Sequence, residues 1–187
     1  MTQWRAADII SAGSAVIAAL ALCFGVWQYW QSENWKRSEF VSKQIADFYA
    51  DRANQIIVQI IEYDDAMVEL IPGKPRVKVT GEMFQKSIEE KGEPTDAEAE
   101  IQQDFLHYLK SLARLNYFLK TDAIRPNELC ADFGFSVAVM TGDAGEMVKK
   151  NSNIDIASFA KAVGEYLDRW HHPEAKQFLT IIKKTCK

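Results

Sequence analysis

From Ile9 to Trp30 the chain carries no charged residue, an uninterrupted run of 22 positions. No other feature restricts its folding as severely. In a helix that run rises about 33 Å, enough to cross a hydrocarbon core of roughly 30 Å. Trp27, Tyr29 and Trp30 cluster at one end, and Trp4 lies beyond the other. Amphipathic rings favour the two lipid–water boundaries, so the distribution suits a span. The sequence predicts an N-terminal flank (1–8), a transmembrane helix (9–30) and a helical domain (31–187).

A cleaved signal peptide fits less well. Its apolar core is usually roughly 7–15 residues long, behind a more basic leading region. Here Arg5 is offset by Asp8, and Leu22, Cys23, Phe24, Gly25 and Val26 carry the apolar run past the small-residue stretch Ala19-Leu20-Ala21. Bulky Leu22 before Cys23 also disfavours a lipoprotein site. The expectation is a retained single-pass anchor.

Flanking charge sets its orientation. Arg5 precedes the span, whereas Lys36, Arg37 and Lys43 follow it. Positive residues stay on the cytoplasmic side, which predicts a single-pass protein with its C-terminal domain in the cytoplasm. The same three cations can grip anionic headgroups, at about 1 kcal/mol each near the surface. With Trp27, Tyr29 and Trp30 they form the expected lipid-headgroup set.

Within the span, Ser11, Ser14, Ala18, Ala21 and Gly25 alternate in steps of three and four, so they share one helix face. Small side chains let helix backbones approach closely, which is how spans associate in lipid. This seam is the expected homo-oligomerisation surface.

Beyond Trp30, the stretch Gln31–Arg37 holds no Pro or Gly, so the membrane helix is expected to continue into a long one. Apolar residues at Val41, Ile45, Phe48, Ile56, Ile60, Met67 and Ile71 keep mostly helical spacing, and Pro72-Gly73 stops it. Pro75–Thr80 alternates and reads as an extended connection more than a strand. A weaker helix is expected over Glu82–Glu90, then a linker at Lys91-Gly92-Glu93-Pro94. Thr95-Asp96-Ala97-Glu98 reads as a capping box. It opens a helix whose apolar face is Ile101, Phe105, Tyr108, Leu112, Leu115 and Leu119. Further helices are expected from Pro126 to Met140, from Asp155 to Trp170, and from Pro173 onward. The fold class is all-α, a cytoplasmic helical bundle behind the anchor.

Few chemical motifs stand out. A net charge of -4 argues against direct nucleic-acid binding, which normally needs a basic face. Three cysteines, Cys23, Cys130 and Cys186, have no framework spacing and fit a reducing compartment better than a stapled secreted domain. Glu89, Glu90, Glu93, Asp96, Glu98, Glu100 and Asp104 form an acidic run, read as a solvated linker near 89–98 and the outer face of a helix start. His171-His172 after Arg169 suggests a turn before Pro173 more than a metal or catalytic site, since a metal needs three or four converging ligands. No phosphate loop or nucleophile elbow occurs. Neither cofactor, metal nor catalytic residue is expected.

The stretches Leu112-Ala113-Arg114-Leu115-Asn116-Tyr117-Phe118-Leu119, Ile124-Arg125-Pro126-Asn127-Glu128-Leu129 and Phe133-Gly134-Phe135 resemble a pattern of bacterial membrane proteins with one N-terminal span and a helical cytoplasmic domain. The layout is similar to the small membrane accessory proteins of type VI-B CRISPR systems. That resemblance implies an oligomeric, pore-like antiviral defence role beside a cytoplasmic nuclease partner. One departure matters. Those proteins have been linked to a superfamily marked by Arg, four to six residues, then His, whereas Arg169 stands too close to His171 and His172, and no arginine lies at that distance before His107. The leading expectation is a non-enzymatic, homo-oligomeric membrane effector or accessory protein. The alternatives are a membrane-tethered enzyme or RNase with a diverged site at Arg169, His171 and His172, and a scaffold that recruits a cytoplasmic partner.

Overall fold

The computed structural model describes residues 6–63, 66–89, 92–144 and 155–186, with the side chains of 6–13 and 15 excepted. About 78% is helical, as the periodicity predicts. Two compact units, residues 1–42 and 43–187, make up the chain.

Helix α1 runs from Ala6 to Ala50 without a break. Its side chains are exposed at Ser14 and throughout Val16–Lys36. Among the described residues, no helix is long and apolar enough to cross a membrane. Ile9, Ile10, Ser11, Ala12, Gly13 and Ala15 of the predicted span have side chains outside the described residues. The continuous apolar remainder, Val16–Val26, rises only about 16 Å, roughly half a hydrocarbon core.

The second unit is a helical bundle built around α4 (Asp96–Lys120). Its capping box forms as predicted. Thr95 Oγ1 accepts from the Glu98 amide at 3.3 Å, and the Glu98 carboxylate accepts from the Thr95 amide at 2.8 Å. Two otherwise unpaired groups of the first turn are thereby satisfied. The predicted apolar face is buried at every position, from Ile101 to Leu119. It packs against α2 (Arg52–Glu62), α3 (Gly81–Glu89) and α7 (Pro173–Thr185). A short 3-10 turn, Pro126–Leu129, leads into α5 (Cys130–Met140), and α6 spans Ile156–Arg169. Aromatic rings join the layers. Phe105 lies 5.2 Å from Phe84 and 5.3 Å from Tyr166, and Phe133 lies 4.8 Å from Phe48 and 5.7 Å from Phe178. Burying each such ring contributes about 1.5–3 kcal/mol.

Three expectations need correction. The helical spacing read from Val41 to Ile71 belongs in part to two helices, because Asp51 stops α1 and caps α2 by accepting from the amides of Ala53 and Asn54 at 3.0 and 3.3 Å. Hydrophobic spacing passes through that break unchanged. Next, Met67 is not on a helix. It sits in β1 (Ala66–Val68), which pairs antiparallel with β2 (Val77–Val79) in register Met67↔Lys78. The supposed extended connection is therefore a strand, and Pro72-Gly73 lies in the loop that joins the pair, with Gly73 at φ 78. Finally, the acidic run is not wholly a solvated face, since Glu98 and Asp104 are both buried.

Candidate functional site

The described part of the predicted span is apolar and uncovered. Val16, Ile17, Leu20, Leu22, Phe24 and Val26 are each 50–71% exposed. At the helical pitch, Ser14, Ala18, Ala21 and Gly25 fall within about 60° of arc and the six large residues fall outside it. A β-carbon added at Gly25 would meet nothing within 4 Å. Ser11 of the same seam has its side chain outside the described residues. Trp27, Tyr29 and Trp30 follow at 56–68% exposure. Lys36 is exposed and pairs with Glu33 at 3.2 Å, Lys43 is exposed, and Arg37 is half-buried.

Arg169, His171 and His172 lie where α6 gives way to α7. Arg169 ends α6 and donates to the Glu89 carbonyl at 3.5 Å. His171 adopts φ 51, and His172 precedes Pro173 at the start of α7. The His172 ring stacks on Tyr166 with centroids 6.4 Å apart. Its Nε2 is buried without a hydrogen-bond partner, and burial, then the Lys110 charge, pushes its pKa below the ordinary histidine value. These residues form an interhelical turn. Among the described residues no group of three His, Cys, Asp or Glu is placed to hold a metal.

The chemistry concentrates elsewhere, in a pocket of about 130 Å³ at the end of α1, the start of α2 and the middle of α4. Seven of its nine lining residues are polar: Gln44, Asp47, Asp51, Asn54, His107, Ser111 and Arg114. Asp51 Oδ2 lies 3.0 Å from His107 Nε2. Asn54, 1% exposed, donates to the Phe48 carbonyl at 2.9 Å and to Ser111 Oγ at 3.2 Å, while its Oδ1 has no partner. Arg114 donates to Gln44 Oε1 at 3.2 Å and lies over the Phe118 ring at 5.9 Å. One turn before His107, Asp104 Oδ2 is also buried without a partner. Burial, then the neighbouring Glu100 charge, raises its pKa to about 6.

Sequence reading missed this cluster. Its members are separated by up to 70 residues, as in Gln44 and Arg114. The only local signal was the i, i+4, i+7 spacing of His107, Ser111 and Arg114, which puts all three along one side of a helix.

A second, more apolar cleft of about 570 Å³ is lined by Gly134, Phe135, Ala138 and Ile182, beside Cys130 and Cys186. These cysteines are joined in a disulfide with Cα atoms 5.3 Å apart. The reducing-compartment reading of the cysteines rested on their odd number, their spacing and the place of Cys23 in the apolar run, which left at most one pair outside it. It did not anticipate that α7 returns to the start of α5, where Gly134 has its added β-carbon position 3.6 Å from Cys186 Cβ. Comparison with protein-family models, curated proteins and solved structures returns no match.

Proposed function

We propose that the chain is a membrane-anchored, homo-oligomeric effector or accessory protein, held in the bilayer by residues 9–30 and acting without chemistry of its own. The observation that carries this reading is the large apolar surface of α1, where Val16–Trp30 is exposed at every position. Contiguous exposed apolar surface on this scale marks a membrane or partner interaction. The flanking charge-free residues extend the run to Ile9, and the small-residue seam gives the helix a face for packing on its own copies. A pore or membrane perturbation in phage defence, beside a nuclease partner, is the specific form that the resemblance suggests.

Lys36, Arg37 and Lys43 favour a cytoplasmic C-terminal domain. The Cys130–Cys186 disulfide favours a second orientation, with that domain in an oxidising compartment, where such bonds persist. Membranes from expressing cells, washed in alkaline carbonate, test the anchor. The chain stays with the lipid pellet if α1 is embedded, and its release into the wash would remove the anchor from the account. Reporters active on one side only, fused after Lys187, decide the orientation.

A further inference from the structure

We infer that the pocket at Asp51, His107 and Arg114 binds a small zwitterion of the α-amino-acid class, presenting a protonated amine at one end and a carboxylate at the other. The inference is independent of the anchor. It rests on which polar groups are already engaged and which are left over. Asp51 has both oxygens engaged, one on the amides of α2 and one on His107. Gln44 Oε1 and Ser111 Oγ accept from Arg114 and Asn54.

What is left over has two signs. Asn54 Oδ1 is a buried acceptor with no donor, and a group in that state costs free energy until a donor reaches it. Asp47 adds a carboxylate to the same lining, while Arg114 keeps further N–H groups beyond its bond to Gln44. A simple anion would engage Arg114 but face Asp47 and leave Asn54 Oδ1 unfilled. A simple cation would do the reverse. A ligand with both ends answers each group, and the formal charges of Asp47 and Arg114 cancel against it. The cavity, about 130 Å³, suits a small ligand, and L-alanine serves as its probe.

The test uses the full chain in detergent and follows its thermal midpoint with added L-alanine. Acetate, methylammonium and inorganic phosphate serve as single-ended probes. Alanine at tenfold its half-saturating concentration should raise the midpoint by about 3 °C. The single-ended probes, alone or acetate with methylammonium, should do much less. Arg114→Gln and Asp47→Asn, both at exposed positions, should each abolish the response while leaving the unliganded midpoint within about 2 °C. Alanine acting no better than the mixed probes would overturn the proposal. So would an equal response to phosphate, or a response that survives in both variants.

Discussion

Asp51 joins two events 56 residues apart: one carboxylate oxygen caps α2, and the other holds His107 of α4 at 3.0 Å. The two roles differ in worth. A capping carboxylate contributes about 0.5–2 kcal/mol, whereas a polar side-chain contact this exposed contributes under about 1 kcal/mol. Asp51→Ala should therefore destabilise the second unit by about 1–2 kcal/mol, and His107→Ala by clearly less. Chemical denaturation of the two variants and the double variant checks this. Equal losses from both single variants would assign the stability to the pair instead of the cap.

Asp104 makes a pH prediction. Its pKa is raised from 3.8 to about 6, first by burial and then by Glu100. A carboxyl whose folded pKa is raised stabilises the fold when protonated, fully below about pH 4, and that contribution is lost as pH rises through 6. Asp104→Asn should then be more stable than the parent at pH 7.5, on the order of 1–2 kcal/mol. The advantage should shrink toward pH 4. Melting curves across that range give the answer, and an advantage that grows as pH falls would contradict the assignment.

The bundle should depend on its ring contacts more than on its surface. Phe105 and Phe178 are fully buried, while Tyr117 is 63% exposed on the same α4 that carries Phe105. Phe105→Ala or Phe178→Ala should cost about 3–5 kcal/mol, and Tyr117→Ala within about 0.5 kcal/mol. Urea titration of each variant measures the difference.

The Cys130–Cys186 bond closes a separation of 56 residues. On chain-entropy grounds a loop of that length stabilises by about 4 kcal/mol. If the domain lies on the oxidising side, protein isolated with thiols trapped should show Cys23 alone labelled, and reductant should lower the melting midpoint. Three labelled cysteines at isolation would place the domain in the reducing compartment that the flanking cations predict.

Where the fold was legible, the signal was local. The Thr95–Glu98 capping box, the Ile101–Leu119 face and Pro173 at the head of α7 each act within a few residues of themselves. The break at Asp51 was not legible, because the apolar spacing of Phe48 and Ile56 spans it. The β1–β2 pair has three residues a side, too few for periodicity to declare. Glu98 looked solvated but turns to Lys86 at 2.7 Å, and that bond, with those from Thr95, holds its pKa down to about 2. The polar pocket and the disulfide arise from tertiary packing between distant segments, so no window along the chain contains them.

The mass of the assembly, measured in mild detergent for the parent and for Gly25→Leu, tests the central claim most directly. Leucine is favourable in a bilayer, and a β-carbon at Gly25 touches nothing in its own chain. A change in complex size with membrane association intact is therefore assigned to packing between copies. The account predicts a parent complex at a multiple of the 21.2 kDa chain. Gly25→Leu should give a smaller or altered complex that still sediments with membranes, and Leu20→Ala, off the seam, should change little. A parent that runs at the mass of one chain, or a Gly25→Leu complex identical to the parent's, would contradict self-association through the seam.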